Sequence, residues 1–521
     1  VCSGRLRFDP AEISPLASLR VPELDSCSTV KRRMLTGVRA GLEGCWVPQV
    51  HLPCAHNALD ALVRRSLGPV PAATDINPLR VSFRKLRRIC RRYDGDEWTL
   101  ERTAMSYSGS LQRRYLEAAR SLSEDPLSPE DWKLKCFVKA EKLDVRAKAS
   151  KPRLIFPRSP RYNLALAAFL KPFEHWLWGV LKGVAQRGVR RSRVVGKGLN
   201  PERRANLIRR KMSEFADPLV MEVDGKAFEA HISADMVKLE HSCYLAAFRG
   251  SKDLAYLLGK QRTAGNAPGG IKFSRPGGRA SGDFNTGMGN SLIMAAVVDC
   301  AMGIIGCKYD SLIDGDNALL FVERSDMPRV VADFPPLAQD HGGQEMVLEK
   351  PTGVFEEVVF GQSHPIDTGY RLGMVRDWKK VLSGATSSHN HMHHYGEVHR
   401  FLLGVAICEY SLARGVPVLG DYFYQLQADC RKVASTPLGE SHYRDYQAMG
   451  VNVREVLGKT PVWVEPTMVA RVSFERAFGV SPREQVLLEG RLPRISFSSL
   501  PPVLVGLDHH SIDNEPFVIH W

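Results

Sequence analysis

The chain has 521 residues, with 71 Lys+Arg against 57 Asp+Glu, a formal net charge of +14, 44% hydrophobic residues and 11 cysteines. At about 150 residues per domain this is roughly three domains' worth of chain, and ordinary apolar and charged fractions exclude wholesale disorder, collagen and coiled coil. The longest apolar stretch, Leu292 to Gly306, is broken by Asp299 and falls short of the about 20 residues of a membrane-spanning helix, no signal peptide is visible, and scattered cysteines without a C-x-x-C pair point to a reducing compartment.

Up to about residue 130, basic helical segments alternate with Pro-containing connectors such as Gly68 to Ala73, which reads as an irregular α-rich region. The positive charge comes in runs: Arg84, Lys85, Arg87, Arg88, Arg91 and Arg92; then Arg187, Arg190, Arg191, Arg193 and Lys197; then Arg203, Arg204, Arg209, Arg210 and Lys211. Such runs neutralise phosphates and otherwise repel one another, so a nucleic-acid partner is favoured over a solvated basic face. Pro218 to Val223 is a β-prone run that stops at Asp224, a strand delivering a carboxylate at its end. Ser233 to Phe248 has helical spacing behind an N-terminal Ser, and the Gly-rich Gly265 to Gly278 reads as a loop. Ser281 to Gly289 leads into a helix-like run, Ser291 to Met302. Two β-prone runs, Ser311 to Ile313 and Ala318 to Val322, flank the turn Asp314-Gly315-Asp316-Asn317, which predicts a hairpin. Beyond about residue 376 helices dominate, for example Tyr395 to Arg414, ended by Gly415 and Pro417.

An Asp after a strand is often a helix cap and Asp-Gly is often only a turn, so neither carboxylate carries chemistry alone. Two carboxylates delivered by strand ends could nevertheless hold the paired Mg²⁺ ions that nucleotidyl transfer uses. The ordered set is more specific. Asp224-Gly-Lys-Ala-Phe228-Glu229, Ser281-Gly282 through Thr286 to Asn290-Ser291, and Gly315-Asp316-Asn317 resemble motifs A, B and C of RNA-dependent RNA polymerases. Val138-Lys139-Ala-Glu141 with Lys151-Pro-Arg153-Leu154-Ile155 resembles motif F, and Phe360 to Pro365 resembles motif E. The continuation Arg153 to Asn163, together with Met374-Val375-Arg376, Leu382-Ser383 and Leu412 to Leu419, is similar to the tombusvirus-like group of positive-strand RNA viruses.

The resemblance implies an α+β right-hand polymerase of fingers, palm and thumb, with an antiparallel palm sheet flanked by helices. Residues 1–215 would form an N-terminal region and fingers, 216–245 and 282–375 the palm, 246–281 a fingers insertion, and 376–521 the thumb and C-terminal tail. It implies template-directed transfer of nucleoside monophosphates from NTPs to an RNA 3′-hydroxyl. Asp224, the Gly225 carbonyl and Asp316 would hold Mg²⁺, with Asn317 beside them and Lys350 as the acid for pyrophosphate. Lys139, Lys151, Arg153 and Arg158 would bind the triphosphate. Glu229, Ser281, Gly282, Thr286 and Asn290 would surround the ribose and select ribonucleotides. Asn317 stands where the family usually has Asp, which would weaken Mg²⁺ and favour Mn²⁺, and Glu229 replaces the usual Asp. RNA template and product, NTPs and viral or host replication proteins are the implied partners. The implied location is the host cytoplasm, in a membrane-associated replication complex reached through another segment or partner. The competing readings are a non-catalytic RNA-binding scaffold on a polymerase fold and a reverse transcriptase. Two further groups read as structural: His389, His391, His393 and His394 as a surface loop, and Cys45, His51, Cys54 and His56, whose composition is zinc-like but whose spacing is not.

Overall fold

The computed structural model describes residues 1–24, 27, 35–36, 44–46, 48–144, 150–390, 395–492 and 517–518. The first part of the chain contributes strand β1 (Ser18–Arg20), helices α1 (Ala55–Ala61) and α2 (Asn77–Cys90), short strands β2 (Leu134–Lys135), β3 (Phe137–Val138) and β4 (Leu154–Ile155), and helices α3 (Pro160–Val180) and α4 (Pro201–Met212). The middle contributes β5 (Pro218–Gly225), α5 (Ala234–Ala247), β6 (Thr263–Ala267), β7 (Ile271–Arg275), α6 (Thr286–Ile305), β8 (Tyr309–Asp314), β9 (Asn317–Glu323), α7 (Met327–Gly342), β10 (Met346–Leu348), β11 (Ser363–Asp367) and β12 (Leu372–Arg376). Helices follow, among them α8 (Tyr395–Ala413), α9 (Leu419–Arg431) and α10 (Met468–Phe478). The class is α+β.

Four antiparallel strands in the order β10-β5-β9-β8 form the central sheet. Side chains alternate across it, as a pleated strand requires. On β9, Ala318, Leu320 and Val322 join the core built around α6, while Leu319 and Phe321 join Ala205 and Ile208 of α4 and Leu372 and Met374 of β12 on the opposite face. The sheet is therefore covered on both sides, which explains why β9 reads as a continuous apolar run from Ala318 to Val322.

Helix α6 is the core of the molecule. Among the described residues it alone is long and apolar enough to cross a membrane, yet 89% of its apolar window is buried inside the chain. It is longer than the apolar stretch because Thr286 to Ser291 are helical too. Asp299, the charge that interrupts the stretch, accepts from Ser82 Oγ at 2.6 Å and Lys85 Nζ at 2.7 Å, so it fastens α6 to α2. On α2 the buried Leu79, Phe83, Leu86 and Cys90 form one stripe, leaving Arg84 and Arg88 exposed.

The stretch Gly265 to Gly278, read from sequence as a loop, is mostly sheet. Strands β6 and β7 form a hairpin around Pro268–Gly270, and the sheet extends to β1 and β2 in the order β1-β7-β6-β2. The glycines punctuate a turn, with Gly269 and Gly270 both at positive φ. The flanks pair with each other across that turn and on their outer sides with β1 and β2, more than 100 positions away, which local composition does not report. Helices α8 and α9 share a separate apolar cluster with Phe474 of α10, in the helical C-terminal part that the sequence predicts.

Candidate active site

The site grows from two backbone features. Strand β5 ends in Asp224 and Gly225, and the β8–β9 hairpin turns on Gly315 and Asp316. Gly315 has φ +66°, at the first position of a two-residue turn, where such hairpins require glycine. The register sets Asn317 opposite both Asp224 and Asp314, and Gly225 N–H donates to the Asp316 carbonyl at 3.0 Å. Residues 92 positions apart in the chain are thereby placed side by side. Ser291, which sequence reasoning did not assign a role, locks the turn: its Oγ accepts from Gly315 N–H at 3.0 Å and donates to the Gly287 carbonyl at 2.8 Å. Only its place directly after Asn290 hinted at this.

The electrostatics define an acidic centre. Burial pushes the Asp224 carboxyl up, and Asp316 and Glu349 push it further. Burial raises Asp316, with Asp314 adding to it, and burial followed by Asp316 raises Glu229. Glu222, on the same face of β5 as Asp224, is pushed up to about 7 by burial, Asp224 and Glu349. Arg153 draws protons off Asp224, Asp316 and Glu229, and Lys197 does so at Asp316. Asp314 is itself held by Arg204 at 2.6 Å and Lys197 at 3.5 Å. The Asn317 Oδ1 is buried without a hydrogen-bond partner. Clustered carboxylates that resist ionisation, beside an orphaned oxygen acceptor, are a donor set suited to a hard divalent cation.

The residues expected around the ribose separate into two groups. Asn290, 5% exposed, donates from Nδ2 to Glu229 Oε1 at 3.4 Å, and its Oδ1 is buried without a partner. Ser281 donates instead to the Leu154 carbonyl at 3.3 Å and Thr286 to the Ala280 carbonyl at 2.7 Å, so both hydroxyls brace the loop. Gly282 packs against backbone: a Cβ there would lie 2.7 Å from the Phe156 carbonyl oxygen. Beneath the loop, a buried ion pair of Arg279 with Glu240 supports Gly289, where a Cβ would meet Glu240 Oε1.

Among the basic residues, Lys139 and Arg153 are joined by the β3–β4 ladder and both reach Glu141, at 2.9 and 3.4 Å, with about half of each side chain exposed. Lys151 is exposed. Arg158 is placed differently and corrects the sequence assignment. Its side chain is 1% exposed, it grips both oxygens of Asp283 and it donates to the carbonyls of Trp132 and Arg262, so it has no free donor face for a triphosphate. Lys211, counted with the third basic run, is likewise buried, against Asp310 at 2.8 Å. Lys350 is exposed, two residues past the end of β10, on which Val347 is the residue paired with Asp224. Arg146, Lys148, His391, His393 and His394 lie outside the described residues.

The model of the viral RNA dependent RNA polymerase family matches residues 41–499, and this chain belongs to that family. The RNA-directed RNA polymerase of Tobacco necrosis virus (strain A) is 31% identical over 463 residues, 86% of this chain and 62% of that protein. That of Carnation mottle virus is 31% identical over 401 residues, 75% of this chain and 50% of that protein, and that of Red clover necrotic mosaic virus is 28% identical over 521 residues, 93% and 65%. The chain thus spans about half to two thirds of the length of these relatives.

Proposed function

We propose that the chain is the catalytic part of an RNA-directed RNA polymerase that replicates a viral RNA genome. The observation that carries this is the juxtaposition of Asp224, Asp316 and Asn317 by sheet register in a carboxylate cluster whose protonation is pushed up. On this reading the central sheet with α5 and α6 is the palm, residues 216–245 and 282–375. Residues 1–215 and 246–281 are the fingers, in keeping with strands from both segments sharing the β1-β7-β6-β2 sheet. The helices from 376 onward are the thumb.

Asp224, the Gly225 carbonyl and Asp316 would hold Mg²⁺. The bound ion supplies activation of the RNA 3′-hydroxyl and neutralises charge on the leaving pyrophosphate. The chain's own residues do the rest. Arg153 and Lys139, with Lys151 beyond them, bring positive charge to the triphosphate on the open side of the carboxylates. Glu229 and Asn290 offer an acceptor and an amide to the ribose 2′-hydroxyl, and the unpartnered Asn290 Oδ1 leaves capacity for it. Ser291 holds the Asp316 turn in register. Attachment to a membrane-associated replication complex in the host cytoplasm would use another segment or a partner, since α6 is committed to the core.

Primer extension on an RNA template by the purified chain, with NTPs and either Mg²⁺ or Mn²⁺, tests the proposal. Template-dependent product is expected, with Mn²⁺ the more effective ion because Asn317 gives up a charge. No product with either ion would leave an RNA-binding scaffold. Discrimination between NTP and dNTP is expected to fall by about 10- to 100-fold in Glu229→Gln, one charge-assisted hydrogen bond's worth, as read from the kcat/KM ratio. Template binding should weaken steeply with salt, and the triple change Arg84→Ser, Arg88→Ser, Arg91→Ser should shallow the log K against log[salt] slope by about 0.7 for each single-strand phosphate that is no longer neutralised. An unchanged slope would take α2 off the RNA path.

A further inference from the structure

Four potential soft ligands meet far from the carboxylates. Cys2, Cys27, Cys54 and His56 present three Sγ atoms and Nδ1, all within 4.8 Å of one another. Cys2 Sγ lies 3.1 Å from Cys27 Sγ, 3.6 Å from Cys54 Sγ and 3.6 Å from His56 Nδ1, and Cys27 Sγ lies 2.5 Å from His56 Nδ1. Tetrahedral Zn²⁺, with bonds of about 2.3 Å to sulfur and about 2.0 Å to nitrogen, would set its ligand atoms roughly 3.5 Å apart. From the donor chemistry and this spacing we infer that Cys2, Cys27, Cys54 and His56 form a structural Zn²⁺ site.

Cys54 and His56 are buried, and burial pushes the Cys54 and Cys27 thiols up. A bound cation would ionise the thiols and release their protons. Three thiolates and an imidazole exclude Mg²⁺ and Ca²⁺, which take oxygen ligands, and the closed set of four leaves no open position for catalysis. Two of the residues, Cys54 and His56, belong to the zinc-like group that they form in sequence with Cys45 and His51. The true companions, Cys2 and Cys27, come from 52 and 27 positions upstream of Cys54, a spacing that no local pattern shows.

The surroundings show what the ion would hold. The start of the chain is laid against α1 and the segment before it: the Val1 amino group donates to the Val50 carbonyl at 2.7 Å, Leu52 N–H to the Val1 carbonyl at 2.9 Å, and Ser3 N–H to Asn57 Oδ1 at 2.8 Å. Arg5 reaches Asp60 of α1 at 2.9 Å. Behind these contacts Ala58, Leu59 and Ala61 enter the apolar cluster that includes Ile271 and Phe273 of β7. The ion would tie the chain start and residue 27 to α1, and so to the face of the β1-β7-β6-β2 sheet that carries Ile271 and Phe273.

The test is metal analysis of the full chain purified without chelator. About one zinc per chain is expected, retained in Cys45→Ser and in His56→Cys, and lost in Cys27→Ser, Cys54→Ser and His56→Ala. Retention in His56→Cys separates ligation from folding. Exchange of the parent protein into Co²⁺ gives a readout that needs no variant: thiolate-to-cobalt charge transfer with tetrahedral visible bands is expected. Any of three results would overturn the assignment: parent protein with no stoichiometric zinc and no such bands, zinc undiminished in both Cys27→Ser and Cys54→Ser, or a Cys2–Cys27 disulfide in freshly purified parent.

Discussion

Asp316→Asn is expected to lower primer extension by about 10³-fold or more while leaving RNA binding intact and raising the metal-free melting temperature. Activity falls because the variant keeps the hairpin but loses a charge where phosphoryl chemistry needs a cation held in place. Stability moves the other way. Asp224, Asp316 and Glu229 each take up protons more readily folded than unfolded, through burial and mutual repulsion. A carboxyl raised in this way makes the folded state bind more protons, so metal-free stability declines as pH rises through the raised value. Removing one charge relieves its neighbours at neutral pH. The same sign predicts that activation by Mg²⁺ needs more metal as pH is lowered, because protons and the ion compete for the same oxygens. Asp224→Asn should behave alike; Glu345→Gln, at a partly exposed carboxylate paired with Lys226 at 2.6 Å, should not. Near-parent extension by Asp316→Asn, or a lower metal-free melting temperature in both Asp variants, would break the link between the carboxylate cluster and catalysis.

Much of this centre could be read from the sequence because it is built from local signals that hold wherever they occur. The β-prone run into Asp224, the Asp-Gly-Asp-Asn turn and the Ser-capped helix after residue 233 each depend on neighbours in the chain, and all three stand where the patterns place them. What the sequence hid was partnership. Gly265 to Gly278 carries the composition of a loop, yet its flanks pair as a hairpin whose outer sides are held by β1 and β2. Arg158 and Lys211 look like members of basic runs until the fold delivers Asp283 and Asp310 to them. Ser281 and Thr286 belong to a motif whose hydroxyls, here, are occupied by backbone carbonyls. Charge type is local information, whereas whether a charge faces solvent or a buried counter-ion depends on residues more than 90 positions away.

That distinction gives the largest expected effect on stability. Arg158→Ala should destabilise the chain by about 3–5 kcal/mol, since it leaves the Asp283 carboxylate without its ion-pair partner at 2% side-chain exposure. The guanidinium donates from Nε to Asp283 Oδ1 at 2.6 Å and from Nη2 to Oδ2 at 3.2 Å, and also caps the carbonyls of Trp132 and Arg262. Arg158→Lys cannot restore a fork that serves five acceptors, the Lys260 carbonyl at 3.4 Å among them, so it should recover only a minor part of the loss. Replacing both partners, Arg158→Met with Asp283→Leu, should cost much less than Arg158→Ala, because the remaining charge is removed with its partner. Arg153, half exposed and aimed at the carboxylates, is the contrast: Arg153→Ala should leave the urea midpoint nearly unchanged and raise the KM for NTP. Urea unfolding and steady-state kinetics on the two alanine variants separate the roles. A stable Arg158→Ala with a raised KM would return Arg158 to the triphosphate; a lowered midpoint with the KM of the surviving folded fraction unchanged fixes it as the clamp between the segment joining β4 to α3 and the loop that leads into α6.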